Sequence, residues 1–523
     1  MKFSGRTAVQ TRRLIPGGVG ALALLSGLAG CTVGPNFHPP RPNLPASFKP
    51  AGRSAPVRNQ VSNAAIDVAW WRRFHDPVLS ALEADAVQQS LDVQIATQRL
   101  AEARAQAEIE GANLYPSLNF AGSFTREKPS NKGVFTALGG GANTGTSTNA
   151  GRTANGSSTS IGGGGIPGAG IQPFNLMQYG FSSVFDFDLW GKNRRTREAA
   201  LAAVTASADG RRAVLLNIEA EIAQDYIALR ADQTLLGIAQ SNLRTANHLT
   251  KLTHERAQAG LANALEVADS EAQAASVTAQ IPSLRAAIAG EQSQIELLLG
   301  RAPGALATEL DAPGSVPAAP PVVPVGLPSQ LLTRRPDIME ATAKLHEATA
   351  TIGVATADFF PDLSLSGSVS LQALQFSNLN QLAAVTYAIG PQITLPLFEG
   401  GKLRGQLRLR KAEQRAAAVN YAKTVLTALH QVDNGLTDYD QEQRRLISLN
   451  REVAASKQAL VLAQERYRQG LADYLEVLTA QQSVLGAEQT QARSLTAIST
   501  DLVKLYQALG GGWEQRYPTK HQH

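Results

Sequence analysis

The chain has one cysteine, Cys31, and its thiol is the first side chain with a recognisable chemistry. It follows a basic stretch over residues 1–13 and a short apolar stretch over 14–29, which together are typical of a secretory signal peptide. A small-residue tripeptide ending in cysteine is typical of the bacterial lipobox, where the cysteine is acylated and becomes the new N-terminus. Residues 1–30 are therefore predicted to be a signal peptide and Cys31 a lipid attachment site. The alternative is an ordinary leader with an incidental cysteine.

The residue after the cysteine indicates which membrane would hold such an anchor. Thr32 occupies this position, and a residue other than aspartate favours the outer over the inner membrane. Each buried methylene of an acyl chain contributes about 0.8 kcal/mol to membrane binding, so three acyl chains would hold the protein firmly. Outer-membrane lipid is therefore a predicted partner.

Catalytic and metal-binding patterns do not occur in the rest of the sequence. It contains no HExxH, Gly-x-Ser-x-Gly or CxxC motif. His248 and His254 are six residues apart and do not share a helix face as two metal ligands would, while the terminal His521 and His523 could bind metal only weakly. The sequence therefore predicts neither an enzyme nor a bound cofactor or metal.

The charge of the chain argues against a nucleic-acid partner. The formal net charge is +5 and the isoelectric point is about 9.2, but four basic residues lie in the leader, which has no acidic residue. The processed chain is thus close to neutral and lacks the basic surplus that nucleic-acid binding requires. A mean hydropathy of −0.12 also excludes a protein built of many membrane-spanning helices.

The elements that must position any site repeat once along the chain, at an offset of 210 residues. Residues 255–267 read ERAQAGLANALEV and residues 465–477 read ERYRQGLADYLEV. Upstream of both copies, apolar residues recur every seven positions, which is typical of long helices that supercoil around one another. They are Leu215, Ile222, Leu229, Leu236 and Leu243 in the first half and Val425, Val432, Tyr439, Leu446 and Val453 in the second. The chain is therefore predicted to contain two structural repeats.

Each repeat contains a stretch suited to a very long helix. No proline interrupts residues 192–258 or 402–468, and such helices would be about 100 Å long at 1.5 Å per residue. Gly260 and Gly470 are expected to end them, because glycine readily adopts the left-handed conformation that follows a helix. Shorter returning helices are predicted after both glycines. Helices of this length suit a tube across the periplasm better than a compact soluble domain.

Four segments alternate apolar residues with small or polar ones, as membrane-crossing strands do. Each is at least about as long as a strand that crosses a bilayer, which needs roughly 9–11 residues. A half-buried sheet of a soluble protein is the alternative. Because a bilayer tolerates only closed sheets and four strands are too few to close, several chains are predicted to share one barrel. The predicted strands are about 117–126, 177–189, 362–371 and 384–397, and the Gly-, Ser-, Thr- and Asn-rich segment 127–175 is a predicted external loop.

The domain boundaries follow from the leader, the repeat and one proline-rich stretch. Proline-rich sequence between the repeats is expected to be a connector, because proline does not continue a helix. The predicted segments are the signal peptide (1–30), a lipidated extended segment (31–65), the first repeat (66–300), the connector (301–328), the second repeat (329–510) and a C-terminal tail (511–523).

Several short motifs resemble those of one family of membrane channels. They are CTVGPNF at 31–37, Trp70-Trp71 with His75-Asp76-Pro77, RRPDI at 334–338 and ALGGGW at 508–513. Together with the duplication, these motifs cover nearly all of the processed chain. As a set they resemble the TolC/OprM outer-membrane efflux proteins, most closely the lipoprotein branch of the NodT type.

This resemblance implies a membrane α+β fold and a homotrimer. Four strands per chain would build a twelve-stranded β-barrel, continued by a long α-helical coiled-coil barrel in the periplasm. The implied partners are a periplasmic adaptor protein and an inner-membrane RND-type pump, and the implied function is a passive exit duct for drugs and other small toxic compounds. The alternatives are the outer-membrane duct of a type I protein secretion system and a structural lipoprotein that tethers the envelope. A wall hydrolase lacks candidate residues.

The resemblance also assigns roles to the two helix turns. Adaptors dock on both turns, which here contain Gly260 and Leu261, and Gly470 and Leu471. Side chains near the second turn close the periplasmic end of the tube, and Asp473 is the candidate here, although several relatives carry an aspartate one residue earlier. Three such carboxylates near one axis would form a cation-binding constriction. The alternative role of Asp473 is a helix N-cap.

Overall fold

A computed structural model describes residues 32–48, 60–62, 64, 67–128, 173–320 and 322–517. Cys31, the predicted signal peptide 1–30, most of the predicted loop 127–175 and the last six residues of the predicted tail lie outside the described residues. The chain forms two compact units, named here the strand unit and the helix unit. The strand unit comprises the residues up to Gly34, Glu110–Arg195 and Gly353–Arg404, and the helix unit comprises Pro35–Ile109, Thr196–Ile352 and Gly405–His523.

The strand unit contains an antiparallel sheet of four strands in the order β1–β2–β3–β4. The strands are β1 Ser117–Glu127, β2 Phe174–Phe187, β3 Asp362–Ala373 and β4 Val385–Thr394. Pro116 and Pro361 stand directly before β1 and β3, because proline stops the preceding helix and favours an extended chain. Among the described residues, the outer edges of β1 and β4 have no strand partner.

The register of the sheet places apolar residues of neighbouring strands in rows on one face. Phe120 lies opposite Phe181, Phe181 opposite Val369, and Val369 opposite Tyr387. Because side chains alternate along a strand, the intervening small and polar residues lie on the other face.

The strand bounds differ by up to three residues from those that the alternation predicts. β2 begins three residues earlier, because Phe174 and Asn175 pair with the end of β1. It ends before Asp188, whose carboxylate accepts hydrogen bonds from the backbone N–H groups of Asn193 (3.0 Å) and Arg194 (2.9 Å) and so caps the next helix. β4 ends three residues earlier than predicted, opposite the first residue of β3.

Two helices of 67 residues dominate the described chain, one in each repeat. Each is about 100 Å long at 1.5 Å per residue, and each is followed by a glycine turn. The helices are α1 Pro77–Gln89, α2 Leu91–Ala112, α3 Lys192–Gln258, α4 Ala264–Leu298, α5 Pro336–Ala357, α6 Lys402–Arg468 and α7 Tyr474–Leu509, with single helical turns at Ala307–Leu310 and Leu331–Arg334. Among the described residues, no helix combines the length and the apolar composition needed to span a bilayer.

Part of the predicted heptad seam forms the core of the helix unit. Leu215, Ile222 and Leu229 are fully buried along α3. The seam weakens further along the helix, where Leu236 and Leu243 are only half-buried. The heptad pattern therefore describes the packing of the first half of α3 better than that of the second.

The predicted extended segment and the predicted connector meet in a short parallel strand pair. Gln60–Ser62 pairs with Val322–Pro324 in the helix unit. The connector is thereby held by backbone hydrogen bonds as well as by its prolines.

Candidate functional site

One face of the sheet is polar and, between the strand ends, uncharged. It consists mostly of serine, threonine, glutamine, asparagine and small residues. Gln178 donates a hydrogen bond to the Ser370 hydroxyl (3.2 Å), and the Ser370 and Thr386 hydroxyls lie 2.9 Å apart. Such a face is wetted by water, and its acidic side chains, Glu127, Asp186 and Asp362, lie at or next to the strand ends.

The opposite face of the sheet is apolar, and no other described part of the chain covers its large side chains. Phe120, Tyr387, Ile389 and Ile393 are each more than 60% exposed. An exposed apolar surface of this extent, on strands long enough to cross a bilayer, is typical of a lipid-facing surface.

The first predicted docking turn directly follows the C-terminal end of α3. Gly260 adopts the left-handed conformation (φ 72°), and the N–H of Leu261 donates to the carbonyl of Arg256 (2.8 Å). Asn263 then begins α4 by accepting a hydrogen bond from the N–H of Glu266 (3.0 Å). The Leu261 side chain is 66% exposed, so the turn presents an apolar group to solvent.

The second turn has the same geometry at the end of α6. Gly470 has φ 73°, and the N–H of Leu471 donates to the carbonyl of Arg466 (2.9 Å). Asp473 occupies the N-cap position of α7, where its carboxylate accepts a hydrogen bond from the N–H of Glu476 (3.2 Å). Capping is one of the two roles that the sequence predicts for this residue. Leu471 is 65% exposed, like its counterpart in the first turn.

Side chains from both repeats join the two turns. Arg256 donates to the carbonyl of Tyr467 (3.0 Å), and its guanidinium carbon lies 4.5 Å from the centre of the Tyr467 ring. The Tyr467 hydroxyl donates to the Glu266 carboxylate (3.1 Å). The rings of Tyr467 and Tyr474 meet edge to face with their centres 5.9 Å apart. The predicted turn residues therefore share one end of the helix unit.

The two tyrosines were not among the residues that the sequence singles out. Tyr467 and Tyr474 are buried, and they replace Ala257 and Ala264 at the equivalent positions of the first repeat. Burial raises the pKa of Tyr474 to about 12, and its hydroxyl has no hydrogen-bond partner among the described residues. The alanine-to-tyrosine difference between the repeats was the signal that could have identified them.

The motifs that carry the family resemblance meet in the core of the helix unit. The indole N–H of Trp513 donates to the carbonyl of Arg334 (2.9 Å). Arg335 donates to the carbonyl of Ala508 (2.7 Å) and makes two hydrogen bonds with the Asp337 carboxylate (3.0 and 2.6 Å). These residues therefore hold the start of α5 against the end of α7.

The tryptophan motif near the start of the first repeat has a similar role. The Trp70 ring stacks on Tyr506 with ring centres 5.3 Å apart. The Asp76 carboxylate caps α1 by accepting the N–H of Val78 (2.9 Å) and also accepts the hydroxyl of Tyr226 (2.8 Å). The motif thus fixes α1 on α3 and α7.

The core of the helix unit also contains two buried acids that the sequence motifs do not single out. Glu83 and Glu219 are at most 1% exposed. Burial raises the pKa of Glu83 well above its ordinary value, and the neighbouring Glu219 raises it further. Burial also raises the pKa of Glu219, with a smaller contribution from Glu514. Glu83 directly follows the buried Leu82, and a glutamate beside an apolar helix stripe was the available signal.

No cluster of three or more histidine, cysteine, aspartate or glutamate side chains that could hold a metal ion occurs in the described part of the chain. His254 pairs with Glu271 at 3.0 Å. The described surfaces include a wettable sheet face, an apolar sheet face and two exposed turns.

The sequence matches the protein family described as outer membrane efflux protein over residues 82–301 and 327–511. Nodulation protein T from Rhizobium leguminosarum bv. trifolii is 30% identical over 494 residues, which cover 93% of this chain and 95% of that protein. The probable efflux pump outer membrane protein TtgC from Pseudomonas putida is 30% identical over 491 residues, which cover 94% of each chain.

Solved structures of outer-membrane channels have a similar fold. The outer-membrane channel OprN matches with a TM-score of 0.79 at 32% identity, covering 92% of this chain and 100% of that one. The outer membrane protein VceC from Vibrio cholerae matches with a TM-score of 0.72 at 29% identity, covering 86% and 100%. The likeness to CusC, with a TM-score of 0.74 at 24% identity, is one of fold and covers 92% and 100%.

Proposed function

Because the chain belongs to the outer membrane efflux protein family, we propose that it is the outer-membrane channel of a tripartite efflux system. In this role it is a passive exit duct for drugs and other small toxic compounds, from the periplasm to the outside. The energy for transport comes from an inner-membrane RND-type pump, and a periplasmic adaptor protein joins the pump to the duct.

The observation that carries this proposal is a sheet that has two different faces and open edges. Four strands are too few for a closed barrel, and a bilayer does not tolerate unpaired backbone groups at a sheet edge. Three copies would pool twelve strands into one barrel, with the apolar faces toward lipid and the polar faces toward water. The long helices of the same three copies would continue the duct through the periplasm.

The turn residues are proposed as the contact points of the partners. Gly260 and Leu261, together with Gly470 and Leu471, would present two exposed leucines to the adaptor at the tip of the helix unit. Asp473 would line the periplasmic aperture with its second carboxylate oxygen while the first caps α7. Cys31 would carry the lipid that anchors each copy in the outer membrane.

The substrate range is proposed to be broad and set by the pump. The polar sheet face carries no charge between its ends that would sort solutes. Relatives of similar identity carry names that refer to toluene, pyoverdine and cation efflux. One duct architecture therefore serves chemically unrelated cargoes.

A deletion strain complemented with this chain tests the proposal. The deletion should raise the accumulation of fluorescent dyes, and the wild-type chain should restore low accumulation together with its own pump and adaptor. A chain with charged residues in place of both Leu261 and Leu471 should restore less, whereas a charged residue at the exposed Leu409 serves as a control. Wild-type accumulation of many dyes in the deletion strain would contradict efflux, and loss of protein export instead would support the type I secretion alternative.

A further inference from the structure

The residues that follow Cys31 lie unusually close to the backbone of the strand unit. Gly34 has φ 93°, and a Cβ placed on it would lie 2.5 Å from the Cα of Gly353. Gly191 has φ 80°, and a Cβ placed on it would lie 3.0 Å from the Cα of Thr32. Side chains at these positions would force the two segments apart, so the glycines permit a close approach.

Hydrogen bonds hold the same segment in place. The N–H of Val33 donates to the carbonyl of Trp190 (3.0 Å), and the guanidinium Nε of Arg195 donates to the carbonyl of Val33 (3.4 Å). Arg195 is 3% exposed and packs against Gly353, where a Cβ would lie 2.9 Å from its Cδ. Residues 32–34 are therefore fixed to the end of β2 and the start of α3.

Aromatic side chains cluster at this end of the sheet. Trp190 follows β2 and stacks on Phe360, which precedes β3, with ring centres 4.6 Å apart. Tyr115 precedes β1 and Phe398 follows β4, and both are highly exposed. Each strand thus has an aromatic residue within a few positions of the same end, as in the aromatic girdles of membrane strands.

We propose that Gly34, Gly191 and Gly353 form a glycine seat that couples the lipid anchor to the sheet of the same chain. Cys31 is joined to Thr32 by one peptide bond, so a seat that holds Thr32 would limit how far acyl chains on Cys31 could move from the sheet. The anchor then acts as part of the sheet at the membrane interface, and pulling the acyl chains out of the bilayer requires opening of the seat. The inference rests on the proposed outer-membrane function and on acylation of Cys31.

The reactivity of one engineered thiol tests whether the segment is seated. In the processed protein an acylated Cys31 does not react with maleimide, so Val33→Cys supplies a single reactive thiol. Adding Gly34→Ala should raise its labelling rate about tenfold or more, because local opening governs access to a partly buried group. Adding His38→Ala, an exposed nearby residue, should leave the rate unchanged. Equal rates in all three proteins would overturn the seat.

A second experiment tests the coupling to lipid and separates it from ordinary packing. The temperature at which the trimer dissociates is measured in lipid nanodiscs. Gly34→Ala is compared with its parent twice, once in the acylated protein and once in a Cys31→Ser protein that is exported without lipid. The seat predicts a drop of several degrees in the acylated protein and less than half of that drop in the lipid-free one. Equal drops would show that the glycines only pack, and would contradict the coupling.

Further measurements separate the absence of a glycine seat from the absence of acylation or of channel function. Mass spectrometry of the wild-type protein reports acylation of Cys31 directly, and maleimide labelling of the wild-type thiol would show that acylation is absent. Dye efflux reports the channel function independently of both. If the protein is acylated and supports efflux but the two drops in dissociation temperature are equal, the glycine seat is overturned and the proposed channel function stands.

Discussion

Glu83 places a carboxyl group in the apolar core of the helix unit, with both oxygens lacking a hydrogen-bond partner among the described residues. A buried charge without a partner costs several kcal/mol, so the group keeps its proton instead. Its neighbour Glu219 strengthens this effect through like-charge repulsion. The pair therefore makes the stability of the helix unit depend on pH.

Glu83→Gln should stabilise the protein, and more at pH 8 than at pH 5. The pKa of Glu83 is raised above its ordinary value of 4.5, so the folded chain holds a proton that the unfolded chain releases above that pH. The contribution of the protonated Glu83 to the unfolding free energy is thus fully present below pH 4.5, and it is lost as the pH rises toward the raised pKa. We expect a rise in thermal midpoint of about 2 °C or more at pH 8. The exposed Glu102→Gln is the control, and an equal gain at both pH values would contradict the prediction.

Arg335→Ala should cost about 2–3 kcal/mol of unfolding free energy, because it removes a buried cation whose guanidinium bonds the half-exposed Asp337 and the carbonyl of Ala508. Arg410→Ala removes an exposed pair with Glu413 and should cost at most about 1 kcal/mol. Urea unfolding of the two variants measures the difference. Similar losses of unfolding free energy in the two variants would mean that Arg335 does not hold α5 against α7.

At the scale of elements, the two long helices owe their length to the absence of proline and their ends to single glycines. The left-handed conformations of Gly260 and Gly470 allow the terminal carbonyls to be satisfied within the turn. The capping residues Asn263 and Asp473 then start the returning helices in the same way. Each hairpin is therefore specified by a few local residues.

Gly470→Ala and Gly486→Ala should change stability in opposite directions. Gly470 has φ 73°, where a Cβ costs about 1–2 kcal/mol, whereas Gly486 lies inside α7 with open space around it. Alanine at Gly486 should stabilise the helix by about 0.5–1 kcal/mol. Thermal unfolding of both variants measures the effects, and destabilisation by both would contradict the assignment of Gly486 to an open helix face.

At the scale of the whole molecule, no strand among the described residues pairs with the outer edges of the sheet, and the large side chains on its apolar face are exposed. The predicted fold class is confirmed by outer-membrane channels of similar structure, OprN among them. The chain is accordingly an outer-membrane protein of the efflux family. The trimer follows as a proposal from the need to close the sheet in lipid.

Lysine placed on adjacent residues of β4 should distinguish the two faces. Ile389→Lys faces lipid in the proposed barrel and should reduce membrane insertion, since a lysine there costs up to about 2–4 kcal/mol. Ala388→Lys lies on the polar face and should insert normally while lowering the cation preference of the conductance. Heat-modifiable trimer in membranes and planar-bilayer recordings are the measurements. Normal insertion of Ile389→Lys together with failure of Ala388→Lys would invert the proposed orientation.

The sequence by itself determined the features that depend on neighbouring residues. The heptad spacing, the strand alternation and the glycine turns predict the long helices, the four strands and the hairpin ends, because each arises from local backbone preferences and side-chain periodicity. The exposed leucines of both turns were also accessible from this local pattern. The strand bounds were less certain, since pairing with a partner strand sets where each ladder ends.

Only the tertiary structure decided the features that join distant parts of the chain. Trp513 meets Arg334 across 179 residues, and Tyr467 meets Glu266 across 201. The burial of Glu83 and the approach of Gly34 to Gly353 likewise depend on segments far apart in sequence. Such contacts follow from how helices and strands pack once formed, and no local spacing encodes them. The roles of the motif residues, of the buried acids and of the glycine seat were therefore visible only in three dimensions.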